Sequence, residues 1–175
     1  RTGLKTMDDV KARAKDLSIC FSDPASTSGH LIPGSYLASI GLNPQTAFKQ
    51  KLFASSHGAS VMTVLAGKVD VGCAWDLAIP LLLKKGVAKE GDLIVLWESD
   101  PIVSDPIVIR KDLNKDFINK VLQAYLSMPT EIPQAFDEYL KLYYTETKGY
   151  EYVIAYDSMY NGIRKIEASM KEGAL

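Results

Sequence analysis

The first hundred residues predict an α/β fold, a parallel or mixed sheet with helices on both faces. Short apolar runs of strand character alternate with stretches whose apolar residues recur at helical spacing. Turn residues punctuate each change, and this alternation is the signature of helices laid over a sheet. The chemically distinctive residues also fall just past the carboxyl ends of the runs read as strands, where open α/β sheets bind ligands.

Thr6, followed by Asp8 and Asp9, starts a helix that continues through Val10, Ala14 and Leu17. A strand follows over Ser18–Phe21, then the loop Asp23-Pro24-Ala25-Ser26-Thr27-Ser28-Gly29. Leu31, Ile32, Leu37 and Ile40 describe the next helix, ending near Gly41, and Pro33 makes its first turn irregular. Leu52–Ala54 reads as a short strand, and Ser55-Ser56-His57-Gly58 as a second strand-to-helix turn. Val61, Val64, Leu65 and Val69 repeat at helical spacing beyond it. Val69–Ala74 is the next buried strand, with Asp76 past its end and a helix over Leu77–Leu83 that stops near Gly86. Leu93–Leu96 and Ile107–Ile109 read as strands separated by the polar, proline-containing stretch Glu98–Pro106. After Asn114 the pattern is helical: Phe117 to Leu126, Ile132–Tyr144 and Tyr156–Met170, with Thr145–Tyr152 as a connection.

Composition narrows the function classes. The chain has 175 residues, 47% hydrophobic and 23% charged, enough to bury a substantial core. Twenty basic against twenty-one acidic residues give a formal charge of -1, and no basic tract points to nucleic acid. The longest apolar runs, such as Ala78 to Leu83, are too short to cross a bilayer. Two histidines and two cysteines, scattered, have no metal-ligand spacing, so neither a metal nor a cofactor is expected. Cys20 and Cys73 lie in apolar runs and read as core; a disulfide between them requires that their strands be neighbours.

Ser26, Thr27, Ser28 and Gly29 fall at the amino end of a helix, where backbone N–H groups lack partners and the macrodipole is positive. Hydroxyls and free amides converging there suit a tetrahedral oxyanion such as phosphate, phosphonate or sulfate. An ordinary N-cap is the competing reading, although a cap needs one hydroxyl and this run supplies three. His57 sits at the second helix start as an anion donor or a surface cap. Asp76 reads as an acceptor for a proton-bearing ligand group or as the cap of the following helix, and Asp105, before Pro106, as a turn former. Ser28, His57 and Asp76 superficially suggest a hydrolytic triad. However, residues 26–30 read Ser-Thr-Ser-Gly-His, which is not a nucleophile elbow, and no Walker lysine follows a glycine-rich loop. The tyrosine-rich carboxyl end is assigned to core or interface rather than to a ligand.

Phe21-Ser22-Asp23-Pro24-Ala25-Ser26-Thr27-Ser28-Gly29 resembles the ligand loop of the periplasmic phosphonate- and phosphite-binding proteins of ABC importers. Lys5-Thr6-Met7-Asp8-Asp9-Val10-Lys11 resembles the family's Lys-Ser-Leu-x-Asp-Leu-Lys lead-in helix. Ser56-His57-Gly58, Val69-Asp70-Val71-Gly72 and Pro101–Arg110 follow in the family's order. The resemblance implies a type II, two-lobed solute-binding fold that closes like a hinge. It implies a non-enzymatic role: capture of a phosphonate, phosphite or phosphate for an ABC permease, in the periplasm, from a free or lipid-anchored protein. Ser26, Thr27, Ser28 and His57 would hold the oxygens. Asp76 would stand at the family's acidic discriminating position, and Asp105 at the aspartate before proline near the interlobe crossing.

By the same resemblance the chain lacks about a hundred residues ahead of Arg1, most of the first lobe. Residues 1–104 would form the second lobe, with a mixed sheet. Residues 105–175 would be the return strand and carboxyl-terminal helices of the first lobe. Self-association, domain swapping or association with a missing segment is then expected, because Phe117, Val121 and Leu122 would need cover. A sulfonate or thiamine-precursor ligand on the same scaffold, and a hydrolase using Ser28 and His57, are the alternatives.

Overall fold

The structure is a computed structural model and describes residues 2–171. The chain divides into two compact units, Arg1–Ile102 together with Asn161–Leu175, and Val103–Tyr160.

The first unit is built on a three-stranded sheet of β1 (Ser18–Phe21), β2 (Gln50–Phe53) and β3 (Val71–Gly72), in the order β2-β1-β3. Both pairings are parallel, with Cys20 opposite Leu52 on one side and Gly72 on the other. No antiparallel pair occurs among the described residues, so the sheet is parallel rather than mixed. The chain leaves β1 towards β2 and then crosses to β3, so β1 and β3 flank a switch in strand order. Such a switch opens a crevice at the carboxyl ends of the strands.

Period-two alternation sends the residues of β1 to opposite faces. Ile19 and Phe21 join Val10 of α1 (Met7–Arg13) and Leu37 of α2 (Ile32–Ser39) in one core cluster. Complete burial of Phe21 and Ile19 contributes about 2–3 kcal/mol each. On the other face, Ser60 of α3 (His57–Leu65) donates its hydroxyl to the Cys20 carbonyl at 3.1 Å. Gly72 permits this close approach, since a Cβ there would meet Val64 Cγ2 at 2.8 Å. A second cluster joins Val61 of α3 to Ala78 and Leu82 of α4 (Ala78–Lys84). Helices therefore cover both faces, as the sequence predicts.

The far end of the sheet is clasped by Asp70. Its Oδ2 accepts from the Ser18 amide at 2.9 Å and the Ser18 hydroxyl at 2.7 Å. This fixes the register of β3, which is only two residues long. Cys20 and Cys73 are free thiols. Although their strands are neighbours, Cys73 stands one position beyond Gly72 and packs on the Ile19/Phe21 cluster. Alternation turns the two side chains to opposite faces.

The second unit holds α5 (Lys115–Glu131) and α6 (Pro133–Leu140), with Phe136 and Leu140 buried. Asn114 caps α5 by accepting from the amides of Asp116 and Phe117 at 2.8 and 3.3 Å. Tyr152 packs edge-on to Tyr125, with ring centroids 5.1 Å apart. Helix α7 (Asn161–Lys171) belongs to the first unit.

Two strand assignments do not hold. Leu93–Leu96 and Ile107–Ile109 carry no ladder among the described residues. Their strand-like composition is real, but a strand exists only with a neighbour to take its hydrogen bonds. Val95 and Val108 remain 66% and 81% exposed, the state of strand sequence without a partner. Near the first segment, Trp97 stacks on Tyr36 of α2 at 3.9 Å and 8°, a side-chain anchor.

Candidate functional site

The loop after β1 spends its hydrogen bonds on itself in a way that leaves the donors of two residues unused among the described residues. Asp23 Oδ1 accepts from the Ala25 amide at 2.8 Å and the Asp23 carbonyl from the Ser26 amide at 3.0 Å. Ser26 then caps the turn, its hydroxyl oxygen accepting from Gly29 N–H at 3.0 Å. Thr27–Leu31 is one π-helical turn, with Leu31 N–H donating to the Ser26 carbonyl at 3.0 Å. Its cause is legible in Pro33, which has no N–H to offer the Gly29 carbonyl four residues back. That carbonyl accepts instead from Ser22 N–H at 3.1 Å, closing the loop against the end of β1. π-turns of this kind concentrate at functional sites. No hydrogen bond among the described residues uses the amides or hydroxyls of Thr27 and Ser28, which are half-buried.

The second helix start approaches the first. Ser55 takes a left-handed φ of 68°, and Ser56 caps α3 by accepting from the Ala59 amide at 3.1 Å. His57, the first residue of α3, accepts the Trp75 amide on Nδ1 at 3.0 Å. An amide nitrogen only donates, so Nδ1 holds the lone pair and the imidazole carries its proton on Nε2. The same ring abuts the loop after β1: a Cβ added at Gly29 would lie 3.0 Å from His57 Cε1. The loops after β1 and β3 and the start of α3 thus meet at the switch in strand order.

His57 therefore lies beside Gly29, in the turn that also carries Ser26, Thr27 and Ser28. Asp76 lies just after Trp75 and is exposed. The alternative that it caps the next helix does not hold, because α4 is led by Leu77 with no side-chain cap. Its carboxylate has no hydrogen bond or ion pair among the described residues. Asp105 is exposed and belongs to the Val103–Tyr160 unit. Sequence reasoning missed the Trp75 amide, since a main-chain donor has no residue-type signal. It also gave no role of its own to Ser22, which directly follows the strand Ser18–Phe21.

The donors gathered here are neutral: hydroxyls, amides and an imidazole N–H. Such a set binds an oxyanion by matching its lone pairs in a partly desolvated place, where hydrogen bonds to charge are strong. No group of acidic, histidine or cysteine side chains among the described residues is suited to a metal.

Comparison with known proteins bears on this geometry. Residues 1–155 match the sequence model of the family described as ABC transporter, phosphonate, periplasmic substrate-binding protein. The chain belongs to that family. It is 31% identical over 124 residues to the phosphonates-binding periplasmic protein of Escherichia coli, covering 71% of this chain and 36% of the relative. It is 27% identical over 158 residues to the phosphate-import protein PhnD of Mycolicibacterium smegmatis, covering 85% and 49%. A crystal structure of a binding-protein component of an ABC phosphonate transporter from Pseudomonas aeruginosa superposes with a TM-score of 0.81. That match has 29% identity and covers 97% of this chain and 54% of that one. The chain spans about half or less of the length of these relatives. For a member of this phosphonate-binding family, the three hydroxyls fall in the segment that family membership covers, as does His57.

Proposed function

We propose that this chain is part of the solute-binding component of an ABC importer and captures a phosphonate, phosphite or phosphate in the periplasm for delivery to the permease. The observation that carries the reading is the meeting of the Ser26–Gly29 turn with His57, leaving Thr27 and Ser28 unspent. Family membership supports the ligand class, and the names of the relatives support both compartment and importer. Ser26, Thr27, Ser28 and His57 surround the tetrahedral head with donors fixed before it arrives, so little entropy is lost on binding. Asp76 supplies what neutral donors cannot, an acceptor. It pairs with the ammonium of an amine-bearing phosphonate or accepts from the protonated oxygen of phosphate or phosphite. Capture involves no covalent step, so the hydroxyls bind and do not attack.

In this reading residues 1–104 belong to one lobe of a two-lobed protein and the chain from 105 onward begins the return to the other, although α7 packs with the first unit. Exposed apolar residues in the Val103–Tyr160 unit, Val108 and Val153 among them, support self-association or strand exchange as the way that unit finds cover. Isothermal calorimetry with phosphate, phosphite, methylphosphonate and 2-aminoethylphosphonate tests the reading. Saturable binding of at least one supports it, and heat from none of them overturns it.

A further inference from the structure

Ser22 has a hydroxyl that the protein itself does not use. The residue is 1% exposed, and its Oγ has no hydrogen-bond partner among the described residues. A buried hydroxyl left unpaired costs stability that an alanine at the same place would not. Packing alone therefore does not explain a serine here. The location of the hydroxyl does. A Cβ at Gly29 would lie 1.5 Å from Ser22 Oγ and 2.7 Å from Ser22 Cβ, so the serine side chain fills the space that glycine leaves. The same point lies 3.0 Å from His57 Cε1. Ser22 also holds Gly29 from its main chain, its N–H donating to the Gly29 carbonyl at 3.1 Å. Ser22 thus meets Gly29 with both its main chain and its side chain, close to where His57 approaches the same glycine.

We propose that Ser22 is a positioning residue of the oxyanion site: its buried side chain is a prop beneath Gly29 that sets the spacing between the Thr27–Ser28 donors and His57. Without Oγ the turn settles towards the sheet, and its donors move out of register with the imidazole. The inference rests on the binding role proposed above. It adds that serine at 22 and glycine at 29 are a matched pair, kept for binding at the expense of stability.

Four variants, Ser22→Ala, Ser22→Gly, Gly29→Ala and the double Ser22→Gly/Gly29→Ala, test this by calorimetry with inorganic phosphate and methylphosphonate and by thermal melting without ligand. Ser22→Ala is expected to melt at or above the parent temperature while its Kd weakens about tenfold, a split that an ordinary core residue does not show. Gly29→Ala is expected to weaken binding by about a hundredfold or more and to lower the melting temperature. In the double variant the Ser22 clashes are gone, so about tenfold of the affinity and part of the melting temperature return; His57 Cε1 keeps the rescue incomplete. Ser22→Ala losing stability and affinity together, or losing neither, overturns the proposal, as does a double variant no better than Gly29→Ala. If the parent binds neither of these anions, nor phosphite or 2-aminoethylphosphonate, the binding role fails and Ser22 has no site to position. Melting then still shows whether the two residues are matched: recovery in the double variant leaves the interlock standing as packing alone, and no recovery removes that as well.

Discussion

The Trp75 amide donates to Nδ1 of His57 at 3.0 Å, and this bond fixes which ring nitrogen faces outward as a donor. Because Trp75 follows β3 and His57 begins α3, the imidazole is held between two elements rather than swinging from one. A ring fixed in this way loses little freedom when an anion arrives.

His57→Ala is expected to weaken oxyanion binding by about 1.5–3 kcal/mol, the worth of a hydrogen bond to a charged acceptor. His57→Gln, which keeps an N–H donor of similar reach, should recover part of it. Calorimetry on both variants reads this directly. Equal losses in the two would show that the N–H is not what the ligand uses.

The hydroxyls of the turn divide by role. Ser28→Ala and Thr27→Val each remove a donor that has no other partner among the described residues, so affinity should fall by about 1–2 kcal/mol with little change in melting temperature. Ser26→Ala also removes the cap on Gly29 N–H, and should cost about 1 kcal/mol of folding stability as well as affinity. Melting curves beside titrations separate the two patterns.

Asp76 should matter according to the guest. Its carboxylate is exposed and has no partner among the described residues. Asp76→Ala is expected to weaken 2-aminoethylphosphonate more than methylphosphonate, which carries no ammonium. The ratio of the two affinities is the readout, and a uniform loss would assign Asp76 to general positioning.

Much of this site is legible in the sequence. The Ser-Thr-Ser-Gly run, its place after a strand, and a histidine at the next helix start follow from residue type and order alone. The meeting of the two helix starts does not, because it depends on the β2-β1-β3 strand order. The strands expected at Leu93–Leu96 and Ile107–Ile109 show the opposite limit. Composition reports that a segment can pair, not that a partner is present. Asp76 belongs to a third class: caps and ligand carboxylates share one sequence signature, and the observed start of α4 removes only the cap reading.

Burial, with a lesser contribution from nearby Cys20, pushes the Cys73 thiol from an ordinary 9.0 up to about 12. The neutral thiol is what the fold accommodates, so its contribution to stability is present below pH 9 and is lost as pH rises towards 12. A thiol reagent at pH 8 should label native Cys73 far more slowly than the denatured chain. Rapid native labelling would contradict the packing described for it.

Ser55 holds φ at 68°, a region glycine enters without strain. Ser55→Gly should therefore leave binding intact and raise stability by up to about 1 kcal/mol, read by chemical denaturation.

Titration of ¹⁵N-labelled protein with inorganic phosphate and methylphosphonate, following amide shifts residue by residue, tests the two-helix socket most directly. The account predicts saturable shifts centred on Thr27, Ser28, Gly29 and the His57 ring nitrogens. Saturable binding that leaves those signals unmoved and shifts others would place the ligand elsewhere and contradict it.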